Sequence, residues 1–117
     1  MCKRGDVYYA ELPVLVNSRI QQGYRPVVIV CNQRAIDNSP VYQCIPLTSQ
    51  IKKENLPVHV VLTSGDLKEI SMVLGEQITS IDKYRLKENI GTVSDYDMKQ
   101  IERAMMIQLG LTTVSTR

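Results

Sequence analysis

"GYRPVVIVCN", residues 23–32, sets a permanently charged arginine one step before a proline and the most apolar run in the chain. "PVVIVC" (26–31) is short, continuous and rich in β-branched side chains, so it reads as a central strand buried on both faces. Pro26 suits the first position of such a strand, where its fixed φ and missing N–H cost least. Arg25 is therefore a charge at the rim of a core strand, and what it faces there is the first functional question.

Toward the N-terminus, "GDVYYAEL" (5–12) alternates Val7, Tyr9 and Glu11 with Tyr8, Ala10 and Leu12 and reads as a first strand limited by Pro13. The polar stretch "VNSRIQQG" (16–23) joins it to the central strand as a loop ending in a glycine. On the other side "RAIDNSP" (34–40) is turn chemistry, and "VYQCIPLTS" (41–49) is a strand in which Pro46 marks a bulge or an edge. "QIKKEN" (50–55) is a polar connector, "LPVHVVLT" (56–63) a strand, and "ISMVLGEQITSI" (70–81) a longer strand with a bulge at Gly75. In "IDKYRL" (81–86) Asp82 caps a short helix, with Ile81 and Leu86 spaced as a hydrophobic staple, and "ENIGTV" (88–93) adds a last strand. The one long helix comes last. Ser94 is its N-cap, Asp97 its third residue and Gly110 its stop, while Met98, Ile101, Ala104, Met105 and Leu109 form the stripe assigned to the core.

Consecutive strands with short connections and a single long terminal helix predict an α+β protein that is mainly β, a small antiparallel barrel with the helix across its open side. An SH3-like and an OB-type barrel fit this pattern equally. The 117 residues suit one domain spanning 1–117, with 110–117 as a loose tail. With neither Trp nor Phe, the large core residues are Val, Ile, Leu, Met and six Tyr. No apolar run has the length of a membrane span and no apolar stretch follows the basic N-terminus, so the expected location is the cytoplasm. Cys2, Cys31 and Cys44 have neither disulfide nor zinc-ligand spacing and read as reduced thiols; no metal site and no cofactor are expected. A formal net charge of +2 falls far short of a protein that coats nucleic acid, so an anionic partner must be gripped locally.

Phosphate-loop, dinucleotide, serine-hydrolase and zinc-protease signatures are absent, leaving chemistry to scattered polar side chains. The single histidine, His59, lies between valines and reads as a half-buried strand residue bonded to a neighbour. Arg25 has two readings: an exposed strand-end arginine paired with a carboxylate, or a rigid guanidinium fork offered to phosphate oxygens. Thr48 is either a strand-end hydroxyl or a hydrogen-bond donor to a phosphate oxygen that gains charge. Arg19 and Gln21 in the first loop, and Lys52 and Lys53 in the connector, would flank a groove for single-stranded nucleic acid, with Tyr24 as a stacking ring.

Taken in order, "KRGDVYYAEL", "QGYRPVVIVCN", "PLTSQIKKENLPVHV" and "GEQITSIDKYRL" resemble the MazF/PemK family of toxin endoribonucleases over residues 3–109, most of all its Gram-positive branch. The resemblance implies an SH3-like five-stranded antiparallel barrel with short helices and a C-terminal helix, assembled as a homodimer. It implies metal-independent cleavage of single-stranded RNA, in which the ribose 2′-hydroxyl attacks the adjacent phosphate to leave a 2′,3′-cyclic phosphate and a 5′-hydroxyl. It also implies neutralisation by a MazE-like antitoxin with an acidic tail. The family's catalytic arginine and threonine fall on Arg25 and Thr48, and Asn32, Ser39, Gln50, Lys52, Glu76 and Gln77 fall near the RNA. One departure stands out: where many members carry a loop glutamate, this chain has Ile20 beside Arg19. Two other functions remain open on the residues alone, a CcdB-like barrel that poisons DNA gyrase through its helical surface and an RNA-binding barrel that does not cut.

Overall fold

The structure, a computed structural model, describes residues 2–63 and 67–114. Strand β1 (Asp6–Leu12) and strand β3 (Val41–Thr48) flank β2 (Gly23–Ile29), both antiparallel to it. β3 changes partner along its length. Val41–Cys44 pair with β6 (Thr79–Asp82), while Leu47 and Thr48 pair with β5 (Met72–Leu74), which in turn pairs with β4 (His59–Val61). β7 (Leu86–Thr92) lies on the far side of β1, giving the order β4-β5-β3-β2-β1-β7 with β6 against β3. All pairings are antiparallel.

The apolar continuity of β2 follows from two cores, one on each face. Val28 and Val30 join Val7, Ile45, Leu47, Val60 and Val73 beneath Ile101 and Ala104 of helix α2 (Asp95–Gln108). Val27 and Ile29 point the other way, to Ala10, Leu12, Tyr42, Cys44 and Ile81, where Ile36 of helix α1 (Gln33–Asn38) covers them. A strand buried on both sides cannot alternate polar and apolar residues, which is why 26–31 reads as an unbroken run.

The mainly β, α+β expectation holds, with seven strands instead of five. The stretch 70–81 is not one strand. It breaks at a 3-10 turn, Gly75–Gln77, which follows the last bond of the β4–β5 register, Gly75 N–H to the Val58 carbonyl at 2.8 Å, and a Cβ at residue 75 would collide with that oxygen. The strand expected over 56–63 shrinks to β4, since the Leu56 and His59 N–H groups are spent on turns to Lys53 and Leu56. Pro46 is neither at an edge nor in a bulge: it sits buried opposite Val27 where β3 passes from β6 to β5. Val30 bonds Gln43, so odd-numbered residues of β3 serve β2, and the donor that Pro46 lacks falls in the gap between its other two partners.

The stretch 34–40 contains a helix that turn chemistry hides. Asn32 caps α1 by accepting the Ala35 N–H at 2.9 Å, and Ile36 is its only buried residue, too little for a helical period to show. The Tyr42 hydroxyl, buried with its ring, donates to the Ile36 carbonyl at 2.9 Å and ties α1 to β3. Tyr42→Phe should therefore lower stability by about 1–2 kcal/mol through an orphaned acceptor, measured as a shift in the urea midpoint at constant slope.

The short helix after Asp82 is a single 3-10 turn, Lys83–Arg85, without a side-chain cap, although Ile81 and Leu86 do meet in one apolar cluster. α2 starts as expected, Ser94 accepting the Asp97 N–H at 3.0 Å. Asp97 is fully buried and accepts from the Thr63 N–H and hydroxyl at 2.9 and 2.8 Å. Gly110 takes φ +75°, and the Leu111 N–H returns to the Met106 carbonyl, the hydrogen-bonded stop that a left-handed glycine permits. Leu109 is a correction: it lies beyond the helix, 56% exposed, outside the core that Ile101 and Ala104 enter. Residues 115–117 of the expected tail lie outside the described residues. All three cysteines are free, and burial pushes the Cys44 thiol up to about 12. Among the described residues no helix is long and apolar enough to cross a membrane.

Candidate active site

β2 carries Arg25 two residues before the paired segment of the strand begins its double burial. The ladder with β3 matches Val27 to Pro46, Val28 to Ile45 and Ile29 to Cys44. Continued outward, the same register sets Arg25 opposite Thr48, the last residue of β3, and residues opposite each other across antiparallel strands share a face. On its other side Arg25 is paired with Ala10 of β1. The backbone under the guanidinium is thus the regular β1–β2 ladder, with β3 beside it turning toward β5.

Arg25 is exposed, and its Nε donates to the Gln22 carbonyl at 3.1 Å. Among the described residues the ion pairs join Arg4 to Glu102, His59 to Glu76, Lys87 to Glu11 and Lys99 to Glu102; none involves Arg25. The carboxylate-paired reading is not realised. Instead one nitrogen is anchored to the backbone while the two terminal nitrogens remain a fork for an oxyanion. Thr48 is half-buried, and its hydroxyl oxygen accepts the Gln50 N–H at 3.1 Å, which leaves the hydroxyl proton for another acceptor.

Two loops border this pair. The first, 13–22, is bound by its own side chains: Leu15 N–H donates to Gln22 Oε1 at 2.9 Å and Ile20 N–H to Ser18 Oγ at 3.1 Å. It carries Arg19 and Ile20, both exposed, and Gln21, which helps to line a cleft of about 320 Å³ with Leu12, Pro46 and Arg85. The second, 49–58, carries Gln50, Lys52 and Lys53 on its exposed surface, Lys53 with a left-handed φ of +54°.

Other expected residues are placed differently. Tyr24 neighbours Arg25 in sequence but projects to the opposite face, stacked on Tyr9 with centroids 4.9 Å apart, so the two do not form one surface. Asn32 and Ser39 lie past the far ends of β2 and β3, about 20–30 Å from Arg25 by the rise of a strand. Asn32 is occupied in capping α1, and the Ser39 hydroxyl donates to the Val41 carbonyl. Glu76 and Gln77 are half-committed as well, as acceptors from His59 Nε2 at 2.9 Å and from the Gln21 N–H at 2.7 Å. His59 is the bonded strand histidine expected, its Nδ1 also lying 2.9 Å from the Lys53 carbonyl. Gln22 was not legible as a site residue: its role rests on a backbone carbonyl, which no side-chain pattern announces.

Fold and site together define a small β protein with a guanidinium near the start of β2, free of ion pairs among the described residues, and a hydroxyl at the end of the neighbouring strand β3. Residues 3–109 match the sequence model of the PemK-like, MazF-like toxins of type II toxin–antitoxin systems, and the chain belongs to that family. It is 40% identical over 116 residues to the endoribonuclease MazF of Staphylococcus saprophyticus, covering 97% of this chain and 96% of that one, which agrees with the Gram-positive resemblance. Its fold matches a mycobacterial endoribonuclease solved with its cognate antitoxin (TM-score 0.80, 23% identity, 96% and 98% of the two chains). It also matches MazF of Deinococcus radiodurans (TM-score 0.79, 20% identity, 93% and 96%). A gyrase-poisoning barrel of the CcdB type is not favoured by these matches.

Proposed function

We propose that this chain is the toxin of a type II toxin–antitoxin pair, an endoribonuclease that cuts single-stranded RNA with Arg25 and Thr48 as its catalytic residues. The observation that carries the assignment is Arg25 itself, anchored through Nε, free of any carboxylate among the described residues, and two residues beyond the end of a ladder whose register extends to Thr48. When the nucleophile is the substrate's own 2′-hydroxyl, the protein has only to align it with the phosphate and stabilise the charge that develops. The O2′–P bond forms, the P–O5′ bond breaks, and the products are a 2′,3′-cyclic phosphate and a 5′-hydroxyl. Arg25 neutralises the pentacoordinate phosphate and Thr48 donates to one of its oxygens. Neither step calls for a metal. Arginine is too basic to accept the 2′-hydroxyl proton, so its role is charge stabilisation and donation toward the leaving oxygen.

The unit spanning 1–117 would act in the cytoplasm as a homodimer on messenger RNA and be held silent by a MazE-like antitoxin; the mycobacterial and Deinococcus relatives solved with antitoxins support that partnership. Ile20 removes a carboxylate from the first loop and Arg19 adds a cation, so RNA contacts there are electrostatic and apolar. Incubated with single-stranded RNA in EDTA, the wild type should cut at defined sites, and Thr48→Ala should slow cutting by about 10²-fold, the usual effect of one lost oxyanion donor. Intact RNA at high enzyme, or release of bound RNA uncut, would refute the assignment in favour of a binding barrel.

A further inference from the structure

The 3-10 turn Gly75–Gln77 touches both loops beside Arg25 and Thr48. On one side the Gln77 amide makes two backbone contacts with the first loop: Oε1 accepts the Gln21 N–H at 2.7 Å and Nε2 donates to the Arg19 carbonyl at 3.4 Å. The next carbonyl, that of Gln22, holds Arg25 Nε. On the other side His59 Nε2 lies 2.9 Å from a Glu76 carboxylate oxygen, and Nδ1 of the same ring lies 2.9 Å from the carbonyl of Lys53, the left-handed residue at the bend of the second loop. The ring is only 6% exposed, while its Glu76 partner is 38% exposed. The turn itself is fixed, because the Gly75 N–H is bonded to Val58 and no larger residue fits there.

We propose that Glu76 and Gln77, with His59, are positioning residues that set the two loops before RNA arrives, instead of RNA contacts in their own right. A glutamine amide offers one acceptor and one donor group, which is what a loop presenting an N–H and a carbonyl needs in place of a neighbouring strand. Glu76 holds one nitrogen of a ring whose other nitrogen lies against the Lys53 carbonyl, so an acidic side chain here serves to place a basic loop. Two adjacent residues on one rigid turn therefore give loops more than thirty residues apart in sequence a common reference.

The proposal rests on the RNA-cleaving function for its kinetic consequence, but its structural consequence can be read without RNA. Amide hydrogen exchange in the free protein should show the Gln21 N–H exchanging about tenfold faster in Gln77→Ala, the effect of losing one protecting hydrogen bond. Gln77→Glu, which keeps an acceptor for that N–H and loses the donor to Arg19, should restore most of the protection. Against an RNA oligonucleotide containing a cut site, Gln77→Ala and Glu76→Ala should each raise KM several-fold more than they lower kcat, since loop preorganisation is lost while the reacting groups remain. Unchanged Gln21 exchange in free Gln77→Ala, together with a raised KM, would overturn the proposal and make Gln77 a direct RNA contact. A wild type that cuts no RNA would refute the function while leaving the exchange result to judge the brace.

Discussion

Arg25→Ala should lose RNA cleavage by about 10³-fold or more, because a guanidinium opposite the phosphate supplies charge stabilisation that nothing else in the site can replace. Single-turnover cleavage of a single-stranded oligonucleotide is the measurement. The loss should fall on kcat more than on KM, since the interaction strengthens as the phosphate gains charge. Arg25→Lys should recover little of it: an ammonium keeps the charge but cannot at once hold the Gln22 carbonyl and present a planar fork. The fold should be unaffected, as Arg25 is exposed and makes no ion pair among the described residues. Loss of the native melting transition in Arg25→Ala would place the arginine in the framework and not in the chemistry.

The largest effect on stability is expected in the core beneath helix α2. Ile101 is fully buried where α2 crosses the first core, against residues drawn from β1, β2, β3, β4 and β5. Ile101→Ala should cost about 3–4 kcal/mol, from lost apolar transfer and from a cavity that a rigid sheet cannot close. Urea unfolding should show the midpoint fall with the slope preserved. Leu109→Ala should cost under 1 kcal/mol, as expected for a residue left mostly in water. Equal losses at the two positions would contradict the burial seen here.

That contrast also shows what the sequence disclosed and what it withheld. Ile101 and Leu109 belong to one periodic stripe, and periodicity cannot say where the helix stops covering the sheet. Gly110 could, and it places Leu109 at the cap. The central strand was legible because burial on both faces removes polar residues from it. α1 was not, because six residues with a single buried side chain leave no period. The break at Gly75 was also hidden, since "VLGEQITSI" has strand-forming residues on both sides of the turn, and the close approach of the Val58 carbonyl that excludes a side chain at residue 75 comes from a distant segment.

For the site, Arg25 and Thr48 were assigned by family resemblance, and the β2–β3 pairing brings the strands that carry them together, though the two residues lie far apart in sequence. Side chains that interact locally were harder to place. Asn32, Ser39, Glu76 and Gln77 are polar residues of kinds that contact RNA, yet each has a partner inside the protein. Tyr24 was placed beside Arg25 by adjacency, whereas strand alternation sends it to the other side, onto Tyr9. Loop architecture built from carbonyls, as at Gln22 and Lys53, leaves no trace in side-chain pattern.

The central claim is that the RNA supplies its own nucleophile and the protein supplies a fork of charge. It is tested most directly by replacing the single ribose 5′ to a mapped cut with 2′-deoxyribose. Wild-type protein should leave that bond intact while cutting the all-ribose control to a 2′,3′-cyclic phosphate and a 5′-hydroxyl. Continued cleavage at the deoxy position would contradict the account, because the nucleophile would then have to come from water or the protein.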